Sequence, residues 1–214
     1  THLFSSAASD VYKRQTMFSQ RGVLTLAHTE HELKEMTRRV EAIRLNGIDS
    51  EVLSPRAIKQ IVPIIDINPQ LRYPVMGGFI QRRGGTARHD AVAWGYARAA
   101  DQLGVDIIQN CEVTGFNIKR GAITGVKTVK GEIKANKVGC VVAGHAGVVA
   151  EMAGFRLPID SRPLQALVSE PIKPILDTVI MSNSVHMYVS QSDKGELVLG
   201  LSLIHISEPT RLTS

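Results

Sequence analysis

Three kinds of hydrophobic patterning alternate along this chain. Gly22 to Ala27 is a short β-favouring run, with Val23, Leu24, Thr25 and Leu26 in sequence, and predicts a strand. Polar and apolar positions then take up a helical period. Thr29 and Glu32 form a capping box, Leu33, Met36, Val40 and Ile43 share one face, and Asn46-Gly47 ends the helix. Ser54-Pro55 opens a second short helix that Pro63 closes. Both helices are charged on one side, which places them at the periphery. Tyr73-Pro74 and Gly77-Gly78 mark a turn-rich approach to the next feature. That feature is an Ala-rich run with Arg98, Asp101 and Gln102 as its only polar stripe, which predicts a buried helix with Asp90 as N-cap.

Past Gly104, a C-cap candidate, Val105–Ile108 and Cys111–Val113 read as strand. Turns at Lys119-Arg120-Gly121 and Lys130-Gly131 divide 112–118, 123–129 and 132–135 into a small antiparallel meander. Val138 to Val142 reads as a strand entering a glycine turn, followed by a helix over 146–153. From Leu157 to Gly200 the pattern is strand throughout: 164–169, 179–182, 185–190 and 196–199, the last after an Asp193-Lys194-Gly195 turn.

The chain has 214 residues, 43% apolar and 21% charged, the composition of a globular protein with one large domain or two small ones. No run of 18 apolar residues occurs, so no membrane span is expected, and no signal peptide is evident. The net charge is +5, but Lys and Arg are scattered and not interleaved with aromatics, which argues against a nucleic-acid partner. Cys111 and Cys140 lack metal-ligand spacing and read as buried, reduced strand residues of a cytoplasmic protein; no metal site is expected. The stretches 1–16 and 201–214 resemble translated sequencing-adapter read-through, notably SDVYKRQ and LSLIHISEPTRLTS, and are set aside as artefactual tails.

The chemistry concentrates at Gly84-Gly85-Thr86-Ala87-Arg88-His89-Asp90. A glycine pair feeds a basic loop, and the loop leaves His89 accessible beside a rigid helix start. On pattern alone a hydrogen-bonded structural histidine is the commoner explanation of such a residue. The run 82–116, RRGGTARHDAVAWGYARAADQLGVDIIQNCEVTGF, resembles the beta subunit of the heterotetrameric sarcosine oxidases, flavoproteins of the D-amino-acid-oxidase-like superfamily. MFSQRGVLTLAH (17–28) and RLNGIDSEVLSP (44–55) resemble the same subunit in the same order, so the likeness covers about 17–200. The resemblance implies that His89 carries a covalent FMN through the flavin 8-methyl carbon. It also implies noncovalent FAD, with Val113 at its adenosine end and the Ala143-Gly144 turn against it. A glycine turn at a helix start does favour an anion, although an ordinary tight connection needs glycine as well. Arg82, Arg83 and Arg88 flank His89 and either meet the FMN phosphate and reduced flavin or form a solvated basic loop. His145 reads as a surface or capping residue. His186 and Tyr188 alternate on one strand face and either line a pocket or act as cross-strand partners.

The fold class expected is mixed α/β (α+β), part of a two-domain FAD-binding oxidoreductase with a nucleotide-binding domain and an antiparallel-sheet substrate domain. Residues 17–80 and 157–200 are assigned to the substrate domain and 81–156 to the FAD-binding domain. No G-x-G-x-x-G fingerprint occurs in the sequence, so the chain is expected to be an internal fragment that folds poorly and binds FAD weakly in isolation. The implied activity is oxidation of sarcosine to glycine, with a hydride passing to FAD and electrons then to FMN and oxygen. The one-carbon unit goes to tetrahydrofolate in another subunit of a hetero-oligomer. The catalytic residues are not identifiable from the sequence. Two rivals keep their place: a related FAD-dependent amine or amino-acid dehydrogenase without covalent flavin, and a noncatalytic binding subunit.

Overall fold

The computed structural model describes residues 17–161 and 163–201; both proposed tails lie outside this range apart from Leu201. The described chain divides into two compact units, residues 17–96 with 164–201, and residues 97–163.

The first unit is built on a seven-stranded sheet. Its strands are β2 (Val23–Ala27), β3 (Glu51–Leu53), β4 (Gly77–Gln81), β9 (Gln165–Val168), β10 (Val179–Ser182), β11 (Met187–Gln191) and β12 (Leu197–Leu201). They run in the order β3-β4-β2-β10-β11-β12-β9, and every pairing is antiparallel except β2 with β10. A separate ribbon pairs β1 (Ser19–Gln20) with β5 (Gly85–Thr86).

Helix α1 (Glu30–Leu45) starts at Thr29, whose hydroxyl accepts the Glu32 N–H at 3.1 Å, and stops at Asn46, with Gly47 left-handed at φ 74°. Helix α2 (Pro55–Ile61) is capped by Ser54, which accepts the Ala57 N–H. Each helix covers a different face of the sheet with its apolar side, its other sides turned outward as expected. On one face Leu24, Leu26 and Ile80 meet Ile58 of α2, with Leu53, Val62, Val75 and Leu176. On the other, Ala27 and Phe79 meet Met36 and Val40 of α1. The central strands are therefore buried from both sides, which demands the continuous apolar run seen in β2. β4 escapes the sequence pattern because it begins with two glycines, which have low β propensity. Its backbone explains them: a Cβ at Gly78 would lie 2.4 Å from the Thr25 carbonyl oxygen.

Gln191 is buried, and its amide organises the loop before β10. Its oxygen accepts the N–H groups of Ile175 and Leu176, and its nitrogen donates to Lys173 and Gly195 carbonyls.

In the second unit, β6 (Val113–Lys119), β7 (Ala122–Thr128) and β8 (Gly131–Lys134) form the expected meander. Two expected strands do not form: residues 105–108 and 138–142 have no strand partner among the described residues. Apolar β-branched runs hold strand geometry only where a neighbour completes the ladder. Cys140 is exposed in consequence, Cys111 is half-buried, and neither lies in a strand, contrary to the buried strand positions expected for both.

Helix α3 (His89–Gln102) also departs from expectation. It contains no buried residue, and Trp94 and Tyr96 are 52% and 75% exposed. An Ala-rich apolar sequence sets helical propensity, while burial requires an element laid over it. No helix among the described residues is long and apolar enough to cross a membrane.

Truncating the core and the surface of these helices should separate cleanly. Ile58→Ala, at a fully buried position, is expected to lower unfolding free energy by about 2–4 kcal/mol. Leu45→Ala, at a residue 90% exposed, should change it by less than about 0.5 kcal/mol in the same urea titration.

Candidate functional site

Cross-strand register places one row of residues across six strands on the α1 face: Phe79, Thr25, Met181, Tyr188, Gly200 and Ala166. Helix α1 packs on β2, β3 and β4. Over β10, β11, β12 and β9 the same face holds a cavity of about 330 Å³, lined among others by Leu164, Met181, His186, Tyr188 and Gly200. Gly200 is required there, since a Cβ would stand 2.0 Å from the Tyr188 ring. The cavity is thus mostly apolar, with an imidazole and a phenol in its wall, the usual make-up of a small-molecule site. His186 and Tyr188, left between two roles by the sequence, both line it.

His186 occupies left-handed backbone at φ 51°, rare for a residue other than glycine. The β10–β11 turn holds it there. The His186 N–H donates to the Asn183 carbonyl at 3.1 Å and the Val185 N–H to Ser182 Oγ at 3.2 Å. Ser182 is itself tied to buried His28. His28 Nδ1 faces two carbonyl oxygens, Tyr73 at 3.1 Å and Pro74 at 3.2 Å, so it carries the proton. In the neutral ring Nε2 is then the acceptor, and the Ser182 hydroxyl donates to it at 2.8 Å. A second tie is made by Glu32, whose Oε2 accepts the His28 N–H at 2.7 Å and whose Oε1 accepts the Ser184 hydroxyl at 2.5 Å. Burial acts to raise the Glu32 carboxyl pKa. The Ser184 and backbone hydrogen bonds outweigh it and hold the group below its ordinary value.

The His89 segment lies in the same unit. Gly84 and Gly85 let the backbone pass close to the N-terminal strand: a Cβ on Gly85 would sit 2.0 Å from the Ser19 carbonyl oxygen. The Gly22 N–H also donates to the Gly84 carbonyl at 2.9 Å. Helix α3 then begins at His89 itself, one residue before the expected cap. Arg88 supplies the first helical acceptor, to the Val92 N–H, and its guanidinium is bidentate on Asp90 within the first turn. In the first turn the Asp90 carboxylate still meets the positive end of the helix dipole. The Arg88 bonds and the Ala91 N–H hold the Asp90 carboxyl below its usual range. His89 is exposed and makes no hydrogen bond to a described residue. The flanking arginines are already engaged: Arg82 with Glu51 at 2.7 Å and Arg83 with Asp49 at 2.9 Å.

The residues expected to meet FAD fall in the second unit. Val113 opens β6, and Ala143 and Gly144 lie in a 3-10 turn (Ala143–His145), both exposed. Ala143 is left-handed at φ 44°, and a Cβ at Gly144 would meet nothing within 4 Å, so the unit leaves this backbone open to a ligand. His145 stands at the start of α4 (Ala146–Met152), exposed and making no side-chain cap. Among the described residues no group of three His, Cys, Asp or Glu side chains is arranged to hold a metal ion.

Residues 4–213 match the family model described as FAD dependent oxidoreductase. The chain belongs to this family. Within it, the sarcosine oxidase subunit beta of Arthrobacter sp is 57% identical over 187 residues, 87% of this chain and 46% of that protein. The subunit of the same name from Rhodobacter capsulatus is 55% identical over 184 residues, 86% of this chain and 44% of that protein. The chain thus spans about half the length of these relatives. Among solved structures, L-proline dehydrogenase from P. horikoshii superposes with a TM-score of 0.74 at 28% identity, over 86% of this chain and 49% of that one. The mixed α/β fold is that of FAD-dependent oxidoreductases.

The Glu32–Ser184 and His28–Ser182 ties are absent from the sequence reading. The capping box pointed to Glu32 as a local helix-start residue, and no spacing rule links it to a serine 152 positions away.

Because the folded Glu32 pKa is depressed, its bonds contribute stability above the ordinary value of 4.5, and that contribution is lost as pH falls through the folded value. Glu32→Gln should therefore lower stability at pH 7 and flatten its decline in acid, as read by urea midpoints between pH 3 and 7.

Proposed function

We propose that the protein to which this chain belongs oxidises sarcosine to glycine as the beta subunit of a cytoplasmic multi-subunit oxidase, with noncovalent FAD and with FMN bonded to His89. One observation carries the covalent part: in a chain 57% identical to a sarcosine oxidase subunit beta, His89 stands exposed on a glycine-fixed helix start. A neutral imidazole has a nucleophilic ring nitrogen that can form such a bond.

In this reading FAD supplies the hydride acceptor and FMN the route of electrons to oxygen. The chain's own residues bind and orient. Met181, Ala166 and Gly200 form an apolar floor, while His186 and Tyr188 meet the polar end of a small amine carboxylate. Val113, Ala143 and Gly144, all within residues 97–163, meet FAD. Arg88 flanks the FMN, and contact with its phosphate requires Asp90 to share the guanidinium that it now holds. Covalent attachment therefore rests on His89 and not on a ready anion cradle of free arginines.

The likeness to L-proline dehydrogenase favours a second reading, an FAD-dependent amine or amino-acid dehydrogenase with His89 structural.

The full-length protein, co-expressed with its partner subunits, separates the two. On a denaturing gel this chain should fluoresce, the peptide holding His89 should carry the FMN mass, and His89→Ala should abolish both. A dark band with all flavin released, together with absent peroxide formation from sarcosine, would leave the dehydrogenase reading standing.

A further inference from the structure

We propose that Glu32 and Ser184 are positioning residues for the substrate pocket, holding the turn over residues 183–186 so that His186 stays in the cavity wall. The inference rests on reading that cavity as the amine site.

Glu32 divides its two carboxylate oxygens between elements far apart in sequence. One accepts the His28 N–H where β2 passes into α1, and the other accepts the Ser184 hydroxyl in the β10–β11 turn. The helix start needs only the first of these, because Thr29 already caps the Glu32 N–H. The bond to Ser184 reaches a turn that lies beside α1 only because β2 and β10 run parallel, with Leu26 opposite Ser182. That turn carries the left-handed His186, a conformation that persists where its surroundings over-determine it. Ser182, bonded to His28 and to the Val185 N–H, holds the other side of the same turn. The start of α1 thus grips the pocket's histidine through Ser182 and Ser184, two residues apart, one on an imidazole and one on a carboxylate.

Ser184→Ala removes the carboxylate's reach to the turn and leaves the helix cap intact. In the full-length enzyme with its partner subunits, it should raise KM for sarcosine about tenfold, the loss of one hydrogen bond to a charged group. kcat should stay within about threefold, with flavin content unchanged. Ser184→Thr should restore KM. In a His186→Ala background, Ser184→Ala should change KM by less than about twofold, because the two residues act as one unit. An unchanged KM in Ser184→Ala, or effects that multiply with those of His186→Ala, would overturn the proposal.

Amide exchange followed by mass spectrometry keeps this result apart from the identity of the substrate. Ser184→Ala should speed exchange over 183–186 and leave Glu30–Leu45 protected, even in a protein that does not oxidise sarcosine. Unchanged exchange in that turn would sink the positioning role whatever the substrate proves to be.

Discussion

The parallel pairing of β2 with β10 joins the two ends of the described chain into one sheet, and most of the first unit depends on it. Every other ladder in that sheet is antiparallel and is made within one of two segments, β2 to β4 or β9 to β12. Without the single parallel seam these are two small sheets, with β2 and β10 as newly exposed edge strands. With it, Leu24 lies fully buried between both halves, and the two hydrophobic clusters have a common wall.

The seam also makes the pocket. A parallel register sets the C-terminal ends of β2 and β10 side by side, so the turn after β10 meets the start of α1. Polar groups buried at such a junction need partners, and His28, Ser182, Glu32 and Ser184 satisfy one another. The α1 face is covered by its helix over β2, β3 and β4, and the cavity lies on the remaining half, where Gly200 makes room for the Tyr188 ring. The His89 segment is fixed by a different device. Two glycines bring its backbone against Ser19 and Gly22, so that the histidine at the head of α3 is exposed on an anchored base.

Local signals were legible wherever the physics is local. The Thr29 and Ser54 caps, the stop at Asn46-Gly47, the Gly104 turn with φ 84° and the Asp193-Lys194-Gly195 turn each depend on a few consecutive residues, and each forms as read. Readings that needed a partner fared worse. Val105–Ile108 and Val138–Val142 have strand composition but no neighbouring strand among the described residues. The Ala-rich α3 has a buried helix's composition but no buried residue, and β4 was masked by its glycines.

By itself the sequence determined α1 and α2 with their caps, the meander, strands near 165–168, 179–182 and 197–200 and, through resemblance, the flavoenzyme family with His89 as its marked residue; the strand read over 185–190 begins only at Met187, and His186 lies in the turn before it. Hydrogen bonds spanning three or four residues and side-chain periodicity are properties of contiguous chain, and they survive in one dimension. Tertiary structure alone decided which strands are neighbours, which face stays open, and that Glu32 and Ser184 meet beside His186. Those outcomes depend on distances between residues far apart in sequence, which are set only when the parallel seam closes.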